Sequence, residues 1–311
     1  MSAQTHIDIV EVGPRDGLQS EPEVLPTATK IEFIGRAVAA GLRRIEVTSF
    51  VNPKRVPQVA DAEAVLAGLP LREGIHYIGL VLNRRGFERA AAAGCNEIGM
   101  AVMASDTFSQ RNQGVTTAES IAAWLDIAAA AGAAGIRPQV TVSAAFGCPF
   151  EGEVPVQRVV DIARRVAEAA PFEIALADTI GAGVPAQVLE LVGRVREALP
   201  GVALRCHFHN TRNTGIANAF AAVQAGVRTL DASLGGIGGC PFAPAATGNI
   251  PTEDLLYMLH RSGYGTGVSL APAIETGQWL QRQLGRPVAG MLVKAGDFPG
   301  SVASGPVLAS R

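Results

Sequence analysis

The feature that most constrains the fold is an eightfold alternation of short apolar runs with longer alanine-rich stretches. The apolar runs have the length and the Val/Ile/Leu content of buried strands, whereas the alanine-rich stretches favour helix. The predicted strands are Ile7–Val12, Ile45–Ser49, Tyr77–Leu82, Glu97–Val102, Gln139–Ala144, Ile174–Asp178, Ala203–His209 and Thr229–Ser233. The predicted helices are Ala28–Ala40, Gln58–Ala67, Arg84–Ala92, Ala118–Ala131, Val156–Ala169, Ala186–Ala198, Thr214–Ala225 and Thr252–His260.

This alternation predicts an α/β protein, a (β/α)₈ TIM barrel with a short helical C-terminal extension. An open, doubly wound sheet would also alternate, but eight units without a break in composition favour closure. No linker, low-complexity segment or charge block divides the 311 residues, so we expect one domain over 1–311. We place the barrel at about 5–265 and the extension at about 266–311, with a helix from Ala271 to Leu284.

The charge and the N-terminal sequence argue against several other classes of protein. A net charge of −2 argues against a nucleic-acid partner. No apolar run approaches the roughly 18 residues of a membrane span, so we expect no membrane partner. The segment Met1–Thr5 leads directly into a predicted strand, without a signal peptide or an Arg-rich presequence, which predicts a cytoplasmic location. We also expect the chain to form a homo-oligomer.

The four cysteines are widely spaced and form no Cys-x-x-Cys pair, so neither a disulfide framework nor a structural zinc site is indicated. Cys206 lies in a predicted strand and is expected to be a small apolar residue of the barrel wall. Cys240 lies between Gly239 and Pro241, with no helix or strand to bury it. A lone cysteine is more often inert, but an exposed thiol here is a candidate acid or nucleophile.

Charged and polar residues collect where the predicted strands end. In a (β/α)₈ barrel the chemistry takes place at the carboxyl ends of the strands, and buried charges there are costly unless they are paired or bind a metal. The residues are Arg15, Asp16 and Gln19 after strand one, Glu46, Thr48 and Ser49 in strand two, Asp178 at the end of strand six, His207 and His209 at the end of strand seven, and Asn249 after strand eight.

Three of these residues have the chemistry of a divalent-metal site. Because side chains alternate along a strand, His207 and His209 project from the same face and supply two imidazoles. An isolated His-x-His is at least as often an ordinary polar pair, and Asp16 beside Arg15 could be an exposed turn residue. Together, two imidazoles and one carboxylate suit Mg²⁺ or Mn²⁺, and Zn²⁺ or Co²⁺ would also fit.

Two further carboxylates stand out within buried runs. Glu46 interrupts a strand otherwise built for burial, so a solvated, outward position is a weak alternative in a barrel covered by helices. Asp178 could cap the next helix, but Pro185 is the better predicted helix start. Asp178 is therefore predicted to be free for chemistry.

Motifs in this order resemble the 3-hydroxy-3-methylglutaryl-CoA (HMG-CoA) lyase family, metal-dependent TIM-barrel lyases related to isopropylmalate synthase. The resemblance extends from Ile7 to near His260, and the glycine-rich loop after strand eight is its most specific part. The matching segments are Glu11–Gln19, Ile45–Lys54, Phe146–Gly152, Ala177–Gly181, His207-x-His209, Gly235–Pro244, Gly248–Asn249 and Thr252–Asp254.

The resemblance implies a divalent-cation-dependent carbon–carbon lyase that takes an acyl-CoA thioester and cleaves HMG-CoA to acetyl-CoA and acetoacetate. It implies roles residue by residue. The implied metal ligands are Asp16, His207, His209 and Asn249. The implied catalytic residues are Arg15, Glu46, Asp178, His207 and the loop thiol Cys240. The implied substrate-binding residues are Arg15, Gln19, Thr48 and Ser49, and Glu253 has a supporting role.

The chain departs from the family pattern at two positions next to the histidines. Asn210 stands where many members have Asp, and Arg212 stands where many have an aromatic residue, so both are assigned a supporting role that bears on the acyl group. One alternative is a lyase for another branched 3-hydroxy-dicarboxylyl-CoA, such as citramalyl-CoA. The others are a Claisen-type acyltransferase, which usually has further C-terminal domains, and a non-catalytic protein that binds acyl-CoA or a metal.

Overall fold

Eight parallel strands close into a barrel and follow one another around it in sequence order. The computed structural model describes residues 5–70, 73–239 and 248–299. The strands are β1 (Asp8–Glu11), β2 (Arg44–Ser49), β3 (His76–Leu80), β4 (Glu97–Met103), β5 (Arg137–Ser143), β6 (Glu173–Asp178), β7 (Leu204–Phe208) and β8 (Thr229–Ala232). Strand β1 pairs with β2 on one side and with β8 on the other, so the sheet has no free edge and the predicted TIM barrel is confirmed.

Helices that follow the strands cover the outside of the barrel. They are α1 (Thr27–Ala39), α2 (Ala62–Ala67), α3 (Arg84–Ala92), α4 (Asp106–Gln113), α5 (Thr117–Ala133), α6 (Val156–Ala167), α7 (Pro185–Ala198), α8 (Gly215–Gln224) and α9 (Thr252–Arg261). Helix α7 begins at Pro185, as the proline predicted. Helix α2 is shorter than predicted, because the chain forms a separate 3₁₀ turn at Pro57–Val59 before it.

Helix α4, which follows β4, was not predicted. Its sequence contains one large apolar side chain, Phe108, and no alanine, so it shows neither the periodicity nor the propensity of the other helices. Phe108 is buried and meets the ring of Phe150 edge to face, with the ring centroids 5.7 Å apart. Tertiary packing therefore stabilises a helix that its own sequence specifies weakly.

The inside of the barrel carries charged side chains. The Nη2 atom of Arg44 on β2 lies 2.6 Å from Oε1 of Glu97 on β4 and 3.0 Å from Oε2 of Glu173 on β6. These contacts cross the barrel, because the three strands are not neighbours. The charges are tolerated because each cation faces a carboxylate.

After α9, two helices extend the fold. Helix α10 spans Leu270–Leu284, close to the predicted range, and α11 spans Leu292–Ala295. Trp279 of α10 packs on Phe33 of α1, with ring centroids 6.0 Å apart. Within the described residues, no helix has the length and apolar character that crossing a membrane requires.

Candidate active site

A cavity of about 720 Å³ opens at the carboxyl end of the barrel. Its volume is in the range of small-molecule sites, and every strand or the segment after it contributes to its wall. Among the wall residues, one per strand in chain order, are Asp16, Glu46, Leu80, Gly99, Gln139, Ala177, His207 and Asp231. Helix α4 contributes Phe108 and Arg111, so part of the wall comes from the helix that was not predicted.

Arg15 and Asp16 lie in a single π-helical turn, Gly13–Gly17, directly after β1. Such turns are rare and often mark functional sites. The buried carboxylate of Glu11 holds the turn in place: Oε1 accepts hydrogen bonds from the backbone N–H of Gly13 and of Leu234, each at 2.9 Å. Burial raises the pKa of Glu11 to about 7, although the hydrogen bonds that its carboxylate accepts act to lower it.

Asp16, His207 and His209 form the candidate metal centre. Each presents one ligand atom, and the three atoms lie within 4.8 Å of one another. Oδ2 of Asp16 is 4.0 Å from Nε2 of His207 and 3.9 Å from Nε2 of His209. Among the described residues, no other trio of His, Cys, Asp or Glu side chains is arranged in this way.

The protonation states of Asp16 and His209 suit a cation, whereas Asp231 and Asp16 raise the pKa of His207 against the effect of its burial. Burial alone would raise the pKa of Asp16, but Arg15 and then the two imidazoles hold it at about 2, so the carboxylate is ionised. Burial, followed by the neighbouring His207, lowers the pKa of His209 to about 4, which leaves its imidazole neutral at pH 7. An ionised carboxylate and a neutral imidazole are the forms in which these groups bind metals.

Asn249 lies at the same cluster and forms an isolated bridge with His209. Its Nδ2 donates to Oδ2 of Asp16 and to the backbone oxygen of Ile237, both at 3.0 Å, while its buried Oδ1 has no hydrogen-bond partner within residues 5–70, 73–239 and 248–299. A buried amide oxygen without a donor is a group that a cation would satisfy. Two imidazoles, one carboxylate and an unsatisfied amide oxygen therefore fit a divalent cation.

The guanidinium of Arg15 bridges two carboxylates on the cavity wall. Its Nη1 donates to Oδ1 of Asp16 and its Nη2 to Oε2 of Glu46, both at 2.7 Å, while Nε has no hydrogen-bond partner in the described part of the chain. Burial would lower the pKa of Arg15, but Glu46 and Asp16 raise it, so the group stays charged. Glu46 faces the inside of the barrel, and burial raises its pKa in spite of Arg15.

Gln19 also lines the cavity, whereas Thr48 and Ser49 are buried and are not among the lining residues. The pairing of β2 with β3 shifts register between Glu46 and Thr48, which is the mark of a β-bulge. Simple alternation from Glu46 would have pointed Thr48 into the cavity. The bulge interrupts that alternation, so the substrate-binding role of Thr48 and Ser49 stays a prediction without support from their placement.

Asp178 is not free, contrary to the prediction from Pro185. Its Oδ1 accepts from the backbone N–H of Ala182 at 2.8 Å and its Oδ2 from that of Gly183 at 2.9 Å. The carboxylate thus organises the loop between β6 and α7 without capping the helix, whose N-cap is Val184. Proline placement located the helix start correctly, but loop N–H groups compete for the same carboxylate.

Asn210 and Arg212 connect loops and do not line the cavity. Oδ1 of Asn210 accepts from the backbone N–H of Gly215 at 3.1 Å, at the start of α8. Nη1 of Arg212 donates to the backbone oxygens of Ile180 at 3.1 Å and Gly181 at 2.9 Å. Arg212 therefore joins the loops after β6 and β7, whereas the side chain of Asn210 bonds within its own loop.

Glu253 is fully buried outside the cavity, at the start of α9. Its Oε2 accepts from the backbone N–H of Gly235 at 3.1 Å, and its Oε1 has no partner among the residues that the structure describes. Burial raises the pKa of Glu253 to about 8. It therefore supports the chain just before the predicted catalytic thiol. Cys240 itself lies outside the described residues.

Asp231 and Arg205 are cavity residues that the sequence analysis missed. Asp231 interrupts the apolar strand β8 much as Glu46 interrupts β2, so the same argument would have found it. Arg205 precedes His207 by two positions in β7 and therefore lies on the same face of the strand. The alternation that places His207 and His209 on one face would have identified Arg205 as well.

A closed barrel with an arginine, a carboxylate and two imidazoles at its carboxyl end defines a TIM-barrel enzyme with a candidate cation site. The family model described as HMGL-like matches residues 6–280, and the chain belongs to this family of lyases. The chain is 45% identical over 313 residues to (R)-citramalyl-CoA lyase of Chloroflexus aurantiacus, covering 97% of this chain and 99% of that protein.

Two further relatives are named as HMG-CoA lyases. The hydroxymethylglutaryl-CoA lyase of Pseudomonas mevalonii is 44% identical over 292 residues, covering 93% of this chain and 97% of that protein. The structure of an HMG-CoA lyase from A. baumannii, in complex with coenzyme A and 3-methylmalate, has a TM-score of 0.93 and 38% sequence identity and covers 99% of each chain. The resemblance inferred from the motifs is therefore confirmed over nearly the whole chain.

Proposed function

We propose that the protein is a divalent-metal-dependent lyase that cleaves HMG-CoA to acetyl-CoA and acetoacetate. The observation that carries this proposal is the adjacency of the Arg15 guanidinium to the Asp16–His207–His209 trio on one cavity wall. The reaction needs both groups close together, because negative charge moves from the 3-hydroxyl oxygen to the thioester oxygen as the C2–C3 bond breaks.

Asp16, His207, His209 and Asn249 would hold the cation, with Mg²⁺ or Mn²⁺ suiting the oxygen ligands and Zn²⁺ or Co²⁺ also compatible with the imidazoles. When bound, the cation supplies Lewis acidity that makes the 3-hydroxyl easier to deprotonate. The ionised Asp16 and the neutral His209 favour this binding.

Arg15 binds the thioester oxygen and stabilises the charge that develops there in the enolate of acetyl-CoA. Among the described residues its Nε has no hydrogen-bond partner, while Asp16 and Glu46 hold the guanidinium plane in place. Glu46 is the chain's candidate acceptor for the hydroxyl proton, because burial raises its pKa and makes it more basic than an ordinary carboxylate. Cys240 would return a proton to C2 of the enolate, a role that rests on the family motif alone. The proton on Glu46 then passes through solvent to the Cys240 thiolate, which restores both groups and balances the reaction.

The acyl group is tested by comparing HMG-CoA with citramalyl-CoA, which lacks one methylene. Such a difference typically discriminates by about 10- to 200-fold in kcat/KM. We expect acetyl-CoA and acetoacetate from HMG-CoA at the higher kcat/KM. If citramalyl-CoA is cleaved to acetyl-CoA and pyruvate at the higher kcat/KM, the proposed substrate is wrong and the alternative suggested by the Chloroflexus relative replaces it.

The cytoplasmic location and the homo-oligomer remain predictions.

A further inference from the structure

The two ring nitrogens of His207 face two different carboxylates. Nε2 points to the candidate metal centre, 4.0 Å from Oδ2 of Asp16. Nδ1 points the other way and lies 3.1 Å from Oδ2 of Asp231 on β8. A neutral imidazole carries one proton, so only one of its nitrogens can offer a lone pair to a cation. The group at Nδ1 therefore decides whether Nε2 is available.

Asp231 is itself held by the charges inside the barrel. It is only 5% exposed, and its Oδ1 lies 3.4 Å from Nε of Arg205. The same Nε lies 3.4 Å from Oε2 of Glu173, which pairs with Arg44 across the barrel. A buried carboxylate that faces a guanidinium on one side and an imidazole on the other is held in a fixed direction.

The second histidine lacks this arrangement. The buried Nδ1 of His209 has no hydrogen-bond partner among the residues that the structure describes. The two imidazoles of the His-x-His pair are therefore not equivalent: a carboxylate orients His207, whereas packing alone orients His209.

We propose that Asp231 is a positioning residue that accepts the Nδ1–H of His207 and so keeps the Nε2 lone pair directed at the cation. Arg205 acts one step further away, by fixing the carboxylate of Asp231. This inference rests on the cation site of the proposed function and adds to it the residue that sets its affinity. Carboxylate partners of this kind typically change metal affinity by 10- to 100-fold.

The test is the affinity for Mn²⁺, measured as free Mn²⁺ by electron paramagnetic resonance with no substrate present. Asp231→Asn keeps the shape of the side chain, but its amide can donate to Nδ1 and thereby stabilise the other tautomer. We expect it to bind Mn²⁺ about 10- to 100-fold more weakly than the unmodified protein. The matched control is Glu97→Gln, which alters another buried carboxylate of the barrel, one that pairs with Arg44 and Arg137. The control should retain the Mn²⁺ affinity of the unmodified protein.

A double-mutant cycle with His207→Ala separates positioning from a general effect. If Asp231 acts through His207, Asp231→Asn has little further effect on Mn²⁺ affinity once the imidazole is absent. An equal loss in both backgrounds, or an unchanged affinity in Asp231→Asn, would overturn the inference. Asp231→Ser serves as the second variant, and failure of both variants to fold would show a structural role instead. Absence of Mn²⁺ binding by the unmodified protein would count against the cation site, and thus against the proposed function itself.

Discussion

The roles that we propose for individual side chains follow from which of them have unused hydrogen-bonding atoms. Among the described residues, Nε of Arg15 on the cavity wall and Oδ1 of Asn249 beside Asp16 have no hydrogen-bond partner, whereas each oxygen of Asp178 accepts a backbone N–H. Buried polar groups are normally satisfied, so an unsatisfied one beside a cavity indicates where substrate or a cation binds. Arg15 and the candidate metal centre are therefore where we propose that the chemistry takes place.

Arg15→Lys tests the bridging guanidinium. Lysine keeps the positive charge but lacks the planar fork that bonds Asp16 and Glu46 at once. We expect kcat to fall by about 10²- to 10³-fold with the fold intact, measured by acetyl-CoA release and circular dichroism. Arg84→Lys, which alters an exposed ion pair with Glu88, is the matched control and should leave kcat unchanged. An undiminished kcat in Arg15→Lys would remove Arg15 from the mechanism.

Glu253 predicts a specific dependence of stability on pH. Its pKa in the folded protein is about 8, above the 4.5 of an ordinary glutamate. Between these values the unfolded chain loses the proton and the folded protein keeps it, so the free energy of unfolding falls by about 1.4 kcal/mol per pH unit from this group. Glu253→Gln cannot titrate, and its melting temperature relative to the unmodified protein should therefore rise from pH 5 to pH 8.

The control for this experiment is Glu168→Gln, which changes an exposed carboxyl at the end of α6. Its melting temperature should differ from that of the unmodified protein by the same small amount at every pH. A constant difference for Glu253→Gln as well would mean that the buried carboxyl is ionised throughout this range.

At the scale of elements, the sequence predicted the regular parts and missed the irregular ones. Buried strands and alanine-rich helices follow from local composition, and all eight strands were placed within a few residues. The π-helical turn at Gly13–Gly17, the bulge in β2 and helix α4 depend on contacts with distant parts of the chain. These three irregular elements shape the site, which is why its wall was predicted less completely than its ligands.

Gly13→Ala tests the π-helical turn that carries Arg15 and Asp16. A Cβ atom at Gly13 would lie 2.5 Å from Oε1 of Glu11 and 3.0 Å from Cζ of Phe33. Relieving this overlap must displace the turn, and we expect a loss of about 1–3 kcal/mol in stability together with weaker Mn²⁺ binding. Gly132→Ala in α5, where a Cβ meets nothing within 4 Å, should be neutral or stabilising. Equal behaviour of the two variants in urea unfolding and Mn²⁺ titration would contradict the role of the turn.

At the scale of the whole molecule, the charges inside the barrel connect its floor to the site. Ion pairs lead from Arg44 through Glu173 and Arg205 to Asp231, which lies next to Nδ1 of His207. Single-residue reasoning found the upper end of this series, because histidines at a strand end are conspicuous. It did not find the lower members, because whether a charged residue in a strand faces inward depends on closure of the barrel.

The most direct test of the account is cleavage of HMG-CoA before and after removal of the metal. With Mg²⁺ or Mn²⁺ we expect acetyl-CoA and acetoacetate in equal amounts, loss of both products with excess EDTA, and recovery when the cation is restored. Asp16→Ala and His207→Ala should remain folded and inactive under all three conditions. Cleavage that continues undiminished in EDTA, or in either variant, would contradict the claim that this trio holds a catalytic cation.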